Sequence, residues 1–125
     1  MRCLLDTHAI LWTAWGSDQV PASVRRAMQE CECFYSIASL WELAIKQSLG
    51  KIGFEAPLAE LDACCRRAGF RRLSIGISHL ERLKTLPSIH RDPFDRLLIA
   101  QALEEDLAIV TCDRLIPQYP VQTVW

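Results

Sequence analysis

The chain has 125 residues, half of them hydrophobic and 23% charged, with a formal net charge of −1. That length builds one domain with a real core and is too short for two. The near-neutral balance leaves any nucleic-acid binding to a local basic patch, and no apolar run approaches the roughly 20 residues that span a bilayer.

The first predicted strand is Arg2 to Leu5, followed by a helix over Thr7 to Trp12 with Asp6 or Thr7 as its cap. Pro21 opens a second helix, Ala22 to Glu30, in the first helical position that proline favours. Cys33-Phe34-Tyr35 reads as a short buried strand, and Ser39 starts a helix over Leu40 to Leu49 that Gly50 ends. Lys51 to Pro57 is a connector, Leu58 to Ala68 a helix closed by Gly69, and Phe70 to Ile75 a strand. Ser78 caps a short helix through Thr85, and Pro87 to Asp92 is a loop. Asp92-Pro93 then starts the longest helix, Phe94 to Glu105, before strands over Leu107 to Thr111 and near Val121 to Val124. Alternating strands and helices predict a three-layer α/β/α domain spanning residues 1–125, with a central, mostly parallel sheet of four or five strands.

Asp6, Glu42, Asp95 and Asp113 each fall where one of these elements begins or ends. Each has a structural reading. Ser39 to Glu42 has the form of a capping box, as does Asp92 to Asp95; Asp6 fits a helix cap, and Asp113 a turn residue. Jointly they say more, because strand ends and helix starts of an open α/β sheet converge on one edge. Carboxylates gathered there repel one another unless a cation intervenes, and hard oxygen donors suit Mg²⁺ or Mn²⁺.

The residues around these acids carry a resemblance. The strings Leu4-Leu5-Asp6-Thr7-His8, Ser36-Ile37-Ala38-Ser39-Leu40-Trp41-Glu42, Asp92-Pro93-Phe94-Asp95-Arg96-Leu97-Leu98-Ile99-Ala100-Gln101-Ala102 and Ile109-Val110-Thr111-Cys112-Asp113 occur in order. Together they resemble a PIN domain, specifically the VapC-like toxin ribonucleases of toxin–antitoxin pairs, over nearly the whole chain. The resemblance implies an endoribonuclease dependent on Mg²⁺ or Mn²⁺, with the acidic quartet on Asp6, Glu42, Asp95 and Asp113 and supporting hydroxyls on Thr7 and Thr111. Asp92 lies three residues before Asp95, and the helix Arg96 to Ala100 sets the register on Asp95. The resemblance further implies a cognate antitoxin lying across the acidic groove, and a homodimer.

Other residues weigh differently. Lys46, four residues after Glu42, fits a helical ion pair or an RNA phosphate contact. Arg96, beside Asp95, fits RNA binding or a tie within the site. His8 reads as helix-surface packing; His79 and His90 lack a nucleophile partner. Arg66, Arg67, Arg71 and Arg72 read as a solvated face rather than a phosphate groove. Trp12, Trp15 and Trp41 read as core or interface anchors. The six cysteines form no pair of C-x-x-C knuckles and read as thiols, Cys3 and Cys112 as small hydrophobes at core strands and Cys64 and Cys65 as partly exposed. The start Met1-Arg2-Cys3-Leu4-Leu5-Asp6 meets an acid too early for a signal peptide, so a cytoplasmic location with no membrane contact is expected. A phospho-accepting aspartate site would want a second acid beside Asp6, which Thr7 and His8 do not supply. A non-catalytic RNA- or protein-binding module with purely capping acids is the remaining alternative.

Overall fold

The computed structural model describes every residue except Ser17 and Phe54. Along it run β1 (Arg2–Leu5), α1 (Thr7–Ala14), α2 (Ala22–Glu30), β2 (Glu32–Ser36), α3 (Ile37–Ser48), α4 (Leu58–Arg67), β3 (Arg71–Leu73), α5 (Ile77–Lys84), α6 (Pro93–Glu105), β4 (Ala108–Val110) and β5 (Thr123–Val124). The five strands form one sheet in the order β3-β2-β1-β4-β5. Every pairing is parallel, with Leu4 opposite both Phe34 and Ile109 at the centre. This is the predicted α/β fold.

Alternation along each strand builds two cores. Cys3, Leu5, Cys33, Tyr35, Ala108 and Val110 face one side and pack with Ile10, Val24, Leu43 and Leu61 of α1 to α4. Leu4, Phe34 and Ile109 face the other and pack with Leu98, Ile99 and Ala102 of α6. A sheet covered on both faces has no solvent side, which is why β1, β2 and β4 read as continuous apolar runs rather than as alternating ones. Each fully buried leucine or isoleucine contributes roughly 1.5–3 kcal/mol of transfer free energy.

The chain moves outward from β1 through β2 to β3, then returns past α5 and α6 to place β4 on the other side of β1. Strand order therefore reverses between β1 and β4. The carboxyl ends of these two strands form the switch point, the position where open α/β sheets carry their ligands.

Several predicted boundaries shift. The α3 helix starts at Ile37, not Leu40: Ser36 is its cap, its hydroxyl accepting from the Ala38 N–H at 3.0 Å. The Ser39–Glu42 capping box is therefore not formed, and both residues lie buried within the helix. The α5 cap is Gly76 rather than Ser78, and the Gly76 N–H donates to Nδ1 of His79 at 2.9 Å. The α1 helix runs on to Ala14. The β3 strand shortens to Arg71–Leu73 because it is an edge strand paired only on its β2 side. Cys112 is exposed, not a core hydrophobe, whereas Cys65 is buried; all six cysteines are free thiols. No helix among the described residues is long and apolar enough to cross a membrane.

Candidate functional site

Asp6 leaves the end of β1, where its backbone N–H extends the ladder to Val110 O at 3.1 Å. Its carboxylate caps α1, accepting from the Ala9 N–H at 2.7 Å. A capping carboxylate keeps further lone pairs for other partners. Burial raises the Asp6 pKa; a hydrogen bond from Thr111, the Ala9 amide and the charge of His8 oppose this, and Asp113 adds to it. Thr111, at the end of β4, also accepts from the Asp113 N–H at 3.0 Å, so its hydroxyl joins the loops that follow the two central strands.

Glu42 projects from the second turn of α3 and is 6% exposed. Thr7 Oγ1 lies 2.7 Å from Glu42 Oε1 and 3.0 Å from Ser39 Oγ. An ionised carboxylate can only accept, so the Thr7 proton goes to Glu42 and the hydroxyl accepts from Ser39. The other glutamate oxygen meets Lys46 Nζ at 2.8 Å, the i,i+4 pair expected from the sequence. Thr7 and Ser39 thus hold Glu42 in place, a role that a capping-box reading of Ser39 conceals.

Asp95 occupies the first turn of α6, which Asp92 caps by accepting from the Phe94 and Asp95 N–H groups at 2.8 and 3.1 Å. Its carboxyl is pushed up to about 7, first by burial, then by the charge of Asp92, with Glu42 and Asp113 adding to it and His90 opposing it. Asp113 behaves differently. Burial raises it, but the Leu115 amide, His90 and the Ile116 amide outweigh that and hold it below the ordinary carboxylate range. Its Oδ1 accepts from Leu115 N at 2.7 Å, the turn geometry read from the sequence. Asp6, Glu42, Asp95 and Asp113 therefore share one electrostatic neighbourhood, reached from four different elements.

His90 was not anticipated. Its Nε2 stands 3.2 Å from Asp95 Oδ2 and 3.1 Å from Asp113 Oδ2. The sequence places it in a loop two residues before a helix cap, with nothing local to aim it at an acid. What aims it is Tyr119, whose hydroxyl accepts from the Ile89 and His90 N–H groups at 3.1 and 2.8 Å and donates to Pro87 O at 2.9 Å. Arg96 is fastened to the same loop, donating to Pro87 O at 2.9 Å and to the Tyr119 hydroxyl at 3.2 Å.

Aromatic rings flank the acids. His8 packs against Trp12, which meets Trp125; on the other flank Trp41 sits edge-on to Phe94 at 4.9 Å between centroids. Trp41 and Trp15 are about half exposed, at 53% and 54%, so neither is a core residue. The arginine cluster is engaged elsewhere: Arg66 and Arg72 pair with Asp62, and Arg71 pairs with Glu32. That leaves it as the charged face expected.

The donor set fits a hard divalent cation. Carboxylates converge, and the pKa of Asp95 is raised to about 7 first by burial and then by the charges of Asp92, Glu42 and Asp113, a load that a bound cation would relieve. Among the described residues, one ligand atom each of His90, Asp95 and Asp113 lie within 4.8 Å of one another, and the charges of Glu42 and Asp113 act on Asp95 and Asp6 respectively.

Fold and centre together define an α/β domain with an acidic cluster at the topological switch point of a parallel sheet. The family model of the PIN domain matches residues 3–121, and the chain belongs to that family. Among solved structures it is similar to VapBC2 from Rickettsia felis bound to a DNA fragment from their promoter, with a TM-score of 0.73 and 14% identity over 100% of this chain and 99% of that one. It is likewise similar to DNA-bound VapBC from Salmonella typhimurium, with a TM-score of 0.67 and 17% identity over 99% and 97% of the two chains. A toxin–antitoxin complex from Klebsiella pneumoniae gives a TM-score of 0.65 and 16% identity over 98% and 96%. At these identities the likeness is one of fold. No curated protein matches the chain.

Proposed function

We propose that the chain is a VapC-like endoribonuclease toxin that hydrolyses RNA phosphodiester bonds with Mg²⁺ or Mn²⁺ and is silenced by a cognate antitoxin, in the cytoplasm and as a homodimer. The observation that supports this reading is the placement of Asp6, Glu42, Asp95 and Asp113 from four elements at one sheet edge, with Asp95 raised by burial and, beyond it, by the charges of Asp92, Glu42 and Asp113. Membership of the PIN family supports nuclease chemistry. The likeness to toxin–antitoxin complexes supports the antitoxin partner.

A divalent ion held there supplies charge neutralisation at the scissile phosphate and lowers the pKa of a bound water into the neutral range. The protein's own part is positional. Asp6 and Asp95 would hold the ion. Thr7 and Lys46 hold the two oxygens of Glu42, whose remaining lone pairs would orient the attacking water. Thr111 ties Asp6 to the Asp113 loop. Lys46 and Arg96 serve as RNA contacts only as far as their bonds to Glu42, Pro87 and Tyr119 allow, since both cations are already partnered.

Cleavage of a mixed RNA pool by purified, antitoxin-free protein tests the reading. Cleavage with Mg²⁺ or Mn²⁺, abolished by excess EDTA and by Asp6→Asn in a folded protein, is the expected result. Activity retained by Asp6→Asn at matched metal concentration would overturn it. The structural bonds of Asp6 and Asp113 to the Ala9 and Leu115 amides favour one alternative, a non-catalytic RNA- or protein-binding module. That alternative predicts no metal binding by calorimetry.

A further inference from the structure

We propose that the Trp41–Phe94 ring contact is a positioning pair, which sets the separation of Glu42 on α3 from Asp95 on α6 by holding the two helices together beside the acids. The inference rests on the metal-dependent reading above and deepens it.

Each of these acids follows an aromatic residue: Trp41 precedes Glu42 on α3, and Phe94 precedes Asp95 on α6. Successive side chains leave a helix about 100° apart, so anchoring a ring fixes the direction of the acid beside it. The two rings meet edge to face, with centroids 4.9 Å apart and planes at 83°, an arrangement that ring quadrupoles favour. The acids sense one another as well, since the charge of Glu42 adds to the rise at Asp95. Thr7 refers Glu42 to α1; the ring contact refers it to α6.

A second tie between the helices gives the contact its leverage. The Ser36 hydroxyl, which caps α3, lies 2.5 Å from Gln101 Oε1 on α6, and both residues are fully buried. Glu42 comes six residues after Ser36, and Asp95 six residues before Gln101. At a rise of about 1.5 Å per residue, each acid stands roughly 9 Å along its helix from this pin. The helices α3 and α6 are therefore arms of equal length, joined at one end by a hydrogen bond and at the other by the rings. Ala38 of α3 shares one buried cluster with Leu97 and Leu98 of α6. Trp41, by contrast, is 53% exposed, so removing its ring takes away the contact at the tips and little of the core. Neither ring offers a group that ligates a cation; each acts through the acid beside it.

Calorimetric titration of the purified full chain with Mn²⁺ tests the pair, with urea midpoints to show that each variant is folded. Trp41→Leu and Phe94→Leu should each weaken binding by about 10-fold or more, the scale of losing support behind a metal-binding side chain. The double variant should bind no more weakly than the weaker single one, because both substitutions remove the same contact. Trp41→Phe keeps an aromatic ring and should bind like the wild type. Trp15→Leu, which removes another half-exposed indole, should do the same. Wild-type affinity in folded Trp41→Leu, no rescue by Trp41→Phe, losses that add in the double variant, or an equal loss in Trp15→Leu overturns the inference and leaves the nuclease reading intact. A wild type that binds no Mn²⁺, indistinguishable from Asp6→Asn, overturns both. Trp41→Leu decides even where Phe94→Leu does not fold.

Discussion

Asp95 bears the electrostatic load of the acidic centre, and its raised pKa of about 7 has two consequences with defined signs. The folded protein holds this proton more tightly than the unfolded chain, whose aspartates titrate near ~3.9. Its contribution to stability is therefore present at low pH and lost as pH climbs from about 4 through about 7. Asp6 shifts in the same direction. The metal-free protein should show a thermal midpoint that falls across that window relative to Asp95→Asn, in scanning calorimetry with EDTA; parallel profiles for the two would contradict the assignment. A divalent ion competes for the same oxygens, so its binding should release protons and tighten as pH rises through about 7, measurable as a buffer-dependent binding enthalpy. Asp62 runs the opposite way. The Tyr35 hydroxyl, 2.6 Å away, and then Arg66 and Arg72 hold it below its usual value, so its stabilisation exists at neutral pH and fades as acid protonates it. Tyr35→Phe should cost about 1–3 kcal/mol near pH 7 and less in acid, by urea denaturation at both pH values.

At the scale of elements, caps do double duty. The Ser36 hydroxyl accepts from the Ala38 N–H at the start of α3 and is itself 2.5 Å from Gln101 Oε1 on α6. Gln101 is fully buried and reaches on to Ser74 O at 3.3 Å. Ser36→Ala should lose the cap, worth roughly 1 kcal/mol, and strand Gln101 Oε1, for a total of about 2–3 kcal/mol in denaturant unfolding. Tyr119→Phe should act on the site rather than on the core. Removing one oxygen leaves the His90 N–H unpaired and the Ile89 N–H with Pro87 O as its remaining partner, so the Pro87 to Asp92 loop loosens, and hydrogen exchange at the His90 amide should quicken selectively. The sequence reading met its limits in these same places. Ser39 and Glu42 match a capping box in spacing, yet both side chains are turned to Thr7, a residue 35 positions from Glu42. Local spacing carries no record of such a partner. His90 was invisible for the same reason, because Tyr119, 29 residues away, is what positions it. Asp6 at the end of β1 and Asp92 before Pro93 were legible, because their partners lie two or three residues further on.

For the whole molecule, a parallel sheet was legible from alternating elements and apolar strands, but the strand order was not, since no local pattern says that β4 returns to the far side of β1. That reversal is what gathers the acids. A substitution in the central layer should therefore harm activity and stability together: Leu98→Ala on α6, fully buried against Leu4 and Ile109, should cost about 2–5 kcal/mol, read as a lower urea midpoint at unchanged m-value. The β5 edge of the sheet carries its own gauge. The indoles of Trp12 and Trp125 lie 5.6 Å apart at 56°, close and crossed enough for their electronic transitions to couple. Only the docking of β5 beside β4 brings them to that separation, because the two residues have no sequence proximity. The chain thus possesses an intrinsic optical ruler, a paired tryptophan band in circular dichroism that vanishes when this strand peels away, whether or not the helices have melted.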